Sequence, residues 1–190
     1  MPRSAVSWVS GAVLVAVTAC GGGAGGGEPI PATVDQYYAP QSHTCFRILL
    51  DEFDHAMTFS VGRPGTLTRV DLLLTRGSGS GQDDVVFELR PTVAGVPDPD
   101  DAHVLATASL SSAEFPVDPG FVAVDLSAFG ISVLPGEIYA LVLRTATGTG
   151  VGSWPGVALG YDLGEGFQRA AAESTFEPGL CDVAFRSHVE

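Results

Sequence analysis

The stretch Ile138–Thr145, with the sequence IYALVLRT, decides the fold of this chain of 190 residues. Its side chains are apolar on both faces, since Leu141 and Leu143 point to one side and Ala140 and Val142 to the other. Strands that are buried on both faces carry near-continuous apolar runs, whereas half-exposed strands alternate apolar and polar residues. The stretch therefore predicts a strand at the centre of a sheet.

Shorter segments on both sides of this strand alternate apolar and polar residues, and Gly, Pro, Asp and Ser separate them. They are 56–61, 66–75, 85–90, 104–110, 121–126, 131–134 and 181–189, with two weaker segments around Trp154 and Tyr161. The period of two predicts one buried and one solvated face per strand, with Glu88 and Arg90 on the solvated face. Helical periodicity is nearly absent, and only 170–174 predicts a turn of helix. The chain is expected to be all-β, as a sandwich or a barrel.

The first 20 residues resemble a bacterial lipoprotein signal. Arg3 supplies a positive charge, 5–19 form an apolar stretch, and Val17-Thr18-Ala19 precede Cys20. This pattern predicts a signal peptide over 1–19 and a lipid on the Cys20 thiol, which would anchor the protein durably to a membrane. The alternative is an ordinary secreted protein that is cut near Ala19.

The rest of the chain is predicted to hold one domain. Residues 20–44 read as the lipidated cysteine, a flexible Gly-rich tether and an irregular lead-in, and 45–190 as a single β-sandwich. The expected location is extracytoplasmic and membrane-anchored, at the cell surface or facing the periplasm, and at the outer membrane if the host has two membranes.

Two cysteines remain once Cys20 is set aside. Outside the cytoplasm Cys45 and Cys181 are expected to form a disulfide, which we interpret as a link between the first and last strands. Closing so long a loop stabilises the folded state by about 5 kcal/mol in the chain-entropy model. The alternatives are a metal pair or a reactive thiol.

The charge excludes several function classes. The chain has 9 basic and 22 acidic residues and a net charge of −13, and no lysine occurs in it. An acidic surface repels phosphate backbones, which argues against nucleic-acid partners. The missing lysine excludes phosphate-loop and Schiff-base lysines. Because none of the local signatures of nucleophilic or zinc catalysis occurs, the protein is predicted not to be an enzyme.

Two groups of side chains are candidate ligand sites. No cofactor is predicted outright, but the carboxylates of Asp83, Asp84, Asp98, Asp100 and Asp101 are candidate ligands for a structural calcium ion, with plain acidic turns as the alternative. The aromatic residues Trp154, Tyr161 and Phe167 lie in a Gly-rich stretch and form a candidate platform for a glycan. For Trp154 the alternative is a partly buried side chain at a strand end.

Four motifs in order resemble a bacterial surface module. They are 57–72 (MTFSVGRPGTLTRVDL), 86–97 (VFELRPTVAGVP), 134–143 (LPGEIYALVL) and 182–189 (DVAFRSHV). The pattern is similar to choice-of-anchor type R domains and to carbohydrate-binding-module jelly rolls. The resemblance covers roughly 55–189 and implies an antiparallel jelly-roll sandwich of about eight strands.

The expected function is therefore that of a non-enzymatic, lipid-anchored module for adhesion, binding or envelope structure. Its expected partners are the membrane, through the lipid, and a glycan or an envelope protein. The alternatives are a carbohydrate-binding module that uses the Trp154 region and an unrecognised hydrolase.

Overall fold

The structure is a computed structural model that describes residues 33–49, 52–77, 84–145, 152–158, 160–170 and 173–190. The predicted signal peptide, Cys20, the glycine tether and Asp83 lie outside the described residues. The described part contains fifteen strand segments and three short 3-10 helices. The strands are β1 Val34–Tyr38, β2 Cys45–Leu49, β3 Phe53–Ser60, β4 Gly65–Arg76, β5 Asp84–Val93, β6 Val96–Pro97, β7 Ala106–Ser111, β8 Gly120–Asp125, β9 Ile131–Val133, β10 Ile138–Thr145, β11 Gly152–Val157, β12 Gly166–Ala170, β13 Glu177–Pro178, β14 Asp182–Val183 and β15 Phe185–Val189. The 3-10 helices are Asp101–His103, Ser112–Glu114 and Ser127–Phe129.

Two antiparallel sheets face each other as a β-sandwich, as the sequence predicts. The first sheet carries the order β1-β15-β4-β8, and the second the order β3-β10-β5-β7. These eight strands in these two orders have the arrangement of a jelly roll. The other segments extend the layers: β2, β9, β11 and β14 belong to the first sheet, and β6, β12 and β13 to the second. The described residues contain no α-helix, and residues 171 and 172 of the turn predicted at 170–174 lie outside them.

Strand β10 is central, which confirms the prediction for 138–145. It pairs with β3 on one side and β5 on the other, so that Leu141 lies opposite both Met57 and Leu89. All three side chains are fully buried between the sheets. Burying such a side chain stabilises the fold by about 1.5–3 kcal/mol, so β10 contributes strongly to the core.

The first strand corrects the prediction that 28–44 is irregular. Val34–Tyr38 forms β1 and pairs with β15 at the margin of the first sheet. Its register shifts between Val34 and Gln36, which is a β-bulge or a similar irregularity. An extra residue of this kind breaks the period of two, and this explains why the sequence pattern does not reveal the strand.

The Cys45–Cys181 disulfide forms as predicted, with the two Cα atoms 6.0 Å apart. It does not join the first and last strands, however. Cys45 begins β2, and Cys181 immediately precedes β14, and both of these strands pair with β11. A Cβ on Gly156 of β11 would overlap the Asp182 carbonyl oxygen, so the close approach of β11 to β14 requires glycine there.

Candidate functional site

Trp154 is part of the core, so the predicted glycan platform is wrong for this residue. Its side chain is fully buried in β11, and its Nε1–H donates a hydrogen bond of 2.9 Å to the Ala184 carbonyl oxygen. The indole N–H is thus satisfied inside the protein and its ring faces no solvent. The alternative, a partly buried side chain at a strand end, is also inaccurate, because Trp154 is the third of the six residues of β11 and is fully buried.

The other two aromatic candidates also pack against the protein. Phe167 is buried with Phe176 and small apolar residues on the outer side of the second sheet. Tyr161 meets Phe185 edge to face at 5.4 Å, and its hydroxyl donates to Gln36 Oε1 at 3.2 Å. Burial raises the pKa of Tyr161 well above its usual range. Trp154 and Phe167 are thus buried, and the half-buried Tyr161 is the one of the three candidates that lines a cavity, described below.

The carboxylates proposed as calcium ligands in 98–101 already have protein partners. Asp98 accepts from the Asp100 backbone N–H at 2.9 Å and contacts His103 Nδ1 at 2.8 Å. These contacts lower the pKa of Asp98. Asp100 accepts from the Ala102 N–H at 2.9 Å, and Asp101 pairs with Arg90 at 2.5 Å. The segment is therefore an acidic turn held by contacts within the protein.

Asp84 accepts a hydrogen bond of 3.1 Å from the Ser109 hydroxyl. Asp83, the remaining candidate ligand, lies outside the described residues. Within the described ranges no group of three or more His, Cys, Asp or Glu side chains is placed to hold a metal ion.

A buried ion network lies where the sequence predicts a solvated face. Arg90 is fully buried, and its Nε donates to Glu88 Oε2 at 2.7 Å. Arg144 contacts the other Glu88 oxygen at 2.5 Å, and Arg90 Nη1 donates to the Asp98 carbonyl oxygen at 3.0 Å. The expectation of solvation is wrong because the segment 98–103 folds over this end of β5. The contacts of Arg90 with Asp98 and Asp101 hold this covering segment in place.

A second chain of polar groups joins β15 to β4 in the first sheet. His188 Nε2 lies 3.0 Å from Asp71 Oδ2, and His188 Nδ1 lies 3.1 Å from the Thr33 hydroxyl. A hydroxyl, an imidazole and a carboxylate in this order are also the parts of a nucleophilic triad. His188 and Asp71 are buried, however, and none of the three lines either of the two cavities described below. We interpret this series of polar contacts as a link that holds Thr33, the residue before β1, against the first sheet.

The loop 160–166 is held by one buried carboxylate. Asp182 accepts from the backbone N–H groups of Gly160 at 2.6 Å, Tyr161 at 3.0 Å and Gly166 at 3.0 Å. Further along the loop, the Thr58 backbone N–H donates to the Glu165 carbonyl oxygen at 2.9 Å. The loop is therefore fixed at both ends and along β3.

Two adjoining cavities flank this loop, and we call them together the loop cleft. One has a volume of about 280 Å³ and is lined by Gly160, Tyr161, Asp162, Gly164, Glu165 and Asp182. The other has a volume of about 330 Å³ and is lined by Thr58, Ser60, Gly95, Ile138, Asp162, Leu163, Gly164 and Glu165. The cleft thus lies between the loop, the outer face of β3 and β10, and the tip of the β5–β6 hairpin.

The lining of the loop cleft is acidic and partly apolar. Asp162 and Glu165 are exposed, and their carboxylates have no hydrogen-bond or ion-pair partner among the described residues. Leu163 is 51% exposed and Ile138 is 37% exposed, so they add apolar surface to the lining. Sequence reasoning missed these four residues. The glycines at 160, 164 and 166, close to two acidic residues, are the only signal of a tight acidic loop.

The disulfide is typical of proteins that mature outside the reducing cytoplasm, and it indicates an extracytoplasmic location. Among the described residues no helix is long and apolar enough to pass through a membrane. Neither a scan against protein-family models nor a search of curated proteins found a match to this chain.

Proposed function

We propose that this protein is a non-enzymatic, lipid-anchored β-sandwich that works as a binding module outside the cytoplasm. The observation that carries the proposal is the Cys45–Cys181 disulfide, which closes the domain covalently. Thiols form and keep such a bond in oxidising compartments, where an exported module would work. The resemblance of 57–72 and 134–143 to choice-of-anchor surface domains supports the same role.

The lipid anchor is the second part of the proposal. Cys20 follows an apolar stretch that ends in Val17-Thr18-Ala19, and seven small residues follow it before the folded domain. A diacylated cysteine at this position would hold the module at the membrane surface. The short glycine-rich segment would let the module turn freely relative to its anchor.

A binding role agrees better with the described side chains than a hydrolytic one. Two acid–histidine pairs that could serve in catalysis are engaged in structural contacts, Asp71 with His188 and Asp98 with His103. The carboxylates of Asp162 and Glu165 lie in the loop cleft, whose lining contains no His or Cys and no Ser–His pair. A cleft of this kind can recognise a ligand, but it supplies no activated nucleophile.

The anchor is tested by expressing the full chain in a bacterium with two membranes and feeding an alkyne-labelled fatty acid. The native chain is expected to take up the label and to fractionate with membranes, whereas Cys20→Ser remains unlabelled. Ser10→Ala, a change in the apolar run upstream of the cleavage site, serves as the matched control and keeps the label. An unlabelled native chain overturns the anchor, and free thiols at Cys45 and Cys181 in the recovered protein overturn the extracytoplasmic location.

A further inference from the structure

We propose that His55 is an acid-sensitive latch for strand β2. When its buried Nδ1 atom takes up a proton, β2 moves away from β3, while the Cys45–Cys181 disulfide keeps the first residue of the strand in place. The latch lies where β2 of the first sheet meets β3 of the second. It gives the fold a conformational response to pH that is independent of the lipid anchor and of any ligand.

A hydrogen bond from His55 joins β3 to β2. Strand β2 pairs with β11, and the Ile48 carbonyl oxygen of β2 accepts from His55 Nε2 at 2.9 Å. Because Nε2 must carry a hydrogen to donate to a carbonyl, the neutral ring has none on Nδ1. The Nδ1 atom is buried and has no hydrogen-bond partner among the described residues. It is therefore the atom that takes up the proton in acid.

A proton on Nδ1 creates a charge and a donor at a place that satisfies neither. The donor has no acceptor, and a buried charge without a partner is costly. Both costs are removed when β2 moves and water reaches the ring. Protonation therefore favours a form of the protein in which β2 is displaced, even though the Nε2–H can still donate.

Two charged side chains act on the ring from nearby. Arg47 of β2 disfavours the protonated imidazole, whereas Asp54 of β3 favours it. The Asp54 carboxylate is already paired with Arg169 of β12 at 2.6 Å. Arg47 donates to Gln168 Oε1 at 2.9 Å and has no carboxylate partner among the described residues. Displacing β2 thus also separates the Arg47 cation from the protonated ring.

The other elements packed against the ring bring no further partner for its charge. The residues opposite it in the second sheet are Gln168 of β12 and Leu143 of β10, which are uncharged. Next to them, Glu177 of β13 is exposed to solvent, and Arg144 of β10 pairs with Glu88 at 2.5 Å. The balance of charges around the ring is therefore set by Arg47 and Asp54.

Strand β2 is the element that can yield. It is five residues long, Phe46 and Ile48 are exposed, and Leu49 is the one residue of the five that is buried. Strand β3, in contrast, is buried over 54–59 and pairs on both sides. Segments with few buried apolar side chains open locally at a lower free energy than the core does. Acid is therefore expected to displace β2 and to leave β3 in place.

The test measures hydrogen exchange of the full chain in detergent at pH 7 and pH 4.5, with each rate corrected for intrinsic exchange at that pH. The amides of 46–49 are expected to exchange at least about tenfold faster at pH 4.5, because the open form takes up the proton more readily. The amides of β10 are expected to stay protected at both pH values, since they exchange only when the whole domain unfolds. This comparison is made within the native chain and needs no variant.

Variants assign the effect to the latch. His55→Gln keeps an N–H that can donate to the Ile48 carbonyl oxygen but takes up no proton, so exchange of 46–49 should change less than about twofold between the two pH values. Arg47→Gln removes the nearby cation and should reduce the effect of acid without abolishing it. His103→Gln, a change at an exposed histidine outside β2 and β3, is the matched control and keeps the full effect.

The latch is overturned if the corrected exchange rates of 46–49 are the same at both pH values, or if β10 loses protection in step with β2. It is also overturned if a folded His55→Gln chain responds to acid as the native chain does. If His55→Gln is unfolded at pH 7, the comparison of β2 with β10 in the native chain decides.

Discussion

The imidazole of His55 lies beneath strand β2, with its Nε2 atom 2.9 Å from the Ile48 carbonyl oxygen, to which it donates a hydrogen bond. The ring is only 6% exposed, and its Nδ1 atom has no hydrogen-bond partner among the described residues. Burial lowers the pKa of His55 to about 4, although the hydrogen bond to Ile48 favours the protonated form. The folded protein therefore holds this histidine neutral at a pH where an unfolded chain would begin to protonate it.

Acidification is expected to destabilise the protein between pH 6.5 and pH 4. The pKa of His55 is lower in the folded state than in the unfolded state, so the unfolded state takes up the proton first and the stability falls with pH. The full loss of unfolding free energy is about 3 kcal/mol, which follows from the difference between the ordinary histidine pKa of 6.5 and the pKa of about 4 in the folded protein. Urea unfolding at pH 7 and at pH 4.5 measures this loss. The unfolding free energy of His55→Gln is expected to differ less between the two pH values than that of the native chain.

His103→Gln is the control for this experiment. The hydrogen bond to Asp98 raises the pKa of His103, so its contribution to stability is present at low pH and is lost as the pH rises. Replacing His103 therefore cannot reduce the loss of stability that acidification causes. Equal pH dependence in the native chain and in His55→Gln would contradict the assignment to His55.

The disulfide is expected to contribute about 2–5 kcal/mol to the stability of the domain. It spans 136 residues of sequence, and a cross-link over so long a loop restricts the unfolded chain strongly. The double variant Cys45→Ala/Cys181→Ala should unfold at correspondingly lower urea concentration than the oxidised native chain. Cys20→Ser, which removes the third cysteine, should leave the midpoint unchanged, and a shift there would show that the effect is not specific to the bridge.

The burial of Trp154 predicts a structural role for this residue and not a role in ligand binding. Trp154→Phe removes one of the two N–H groups that donate to the Ala184 carbonyl oxygen and leaves a cavity, and together these changes are expected to lower the unfolding free energy by about 2–3 kcal/mol. Thermal unfolding measures the loss. Phe46→Leu, which changes an aromatic side chain that is 51% exposed, should cost less than about 0.5 kcal/mol. Similar effects of the two changes would contradict the buried position.

Substitutions in the buried ion network are expected to lower the stability strongly at Arg90, which is buried, and only slightly at Asp101, which is exposed. Arg90→Met leaves the Glu88 carboxylate in a buried position with a partner removed, for a loss of about 3–5 kcal/mol in unfolding free energy. Asp101→Asn changes a carboxylate whose side chain is 72% exposed, and it should cost about 1 kcal/mol or less. The double variant Glu88→Leu/Arg90→Met should be more stable than Arg90→Met alone, and a further loss in the double variant would refute this account.

Asp182 is expected to control the mobility of the loop 160–166. Asp182→Asn replaces a carboxylate that accepts three backbone hydrogen bonds by a weaker acceptor, so the amides of Gly160, Tyr161 and Gly166 should exchange with solvent at least tenfold faster. Hydrogen exchange read by mass spectrometry or NMR measures this. Asp162→Asn is the control in the same loop, because its carboxylate has no partner to lose. Unchanged exchange in Asp182→Asn would show that other contacts hold the loop.

The parts of the fold that follow from local periodicity could be predicted from the sequence. The run at 138–145 predicts β10 and its central position, and both are found, because burial on both faces leaves a clear apolar pattern. Strand β1 and its bulge could not be predicted, because an extra residue changes which face the side chains occupy. The disulfide could be predicted from the cysteine count, but its position beside β11 depends on the sheet order.

The candidate site could not be predicted because it depends on which segments fold back over the sheets. Glu88 and Arg90 read as solvent-facing residues until the segment 98–103 covers them. For Trp154 the sequence leaves a platform and a partly buried strand end open, and its full burial in β11 follows only from the packing of the sheets. In the same way the acids of 98–101 and those at 162 and 165 look alike in the sequence, and they differ only in whether the protein itself supplies their partners.

The position of β15 constrains when this protein can fold. Residues 185–189 form β15, which pairs with β1 on one side and with β4 on the other. While these residues are still held in a ribosome or an export channel, the first sheet lacks the strand that joins β1 to β4. Most pairings in such a topology join residues that are distant in sequence, and they form slowly. The first sheet can therefore join β1 to β4 only once residues 185–189 are available to pair with both.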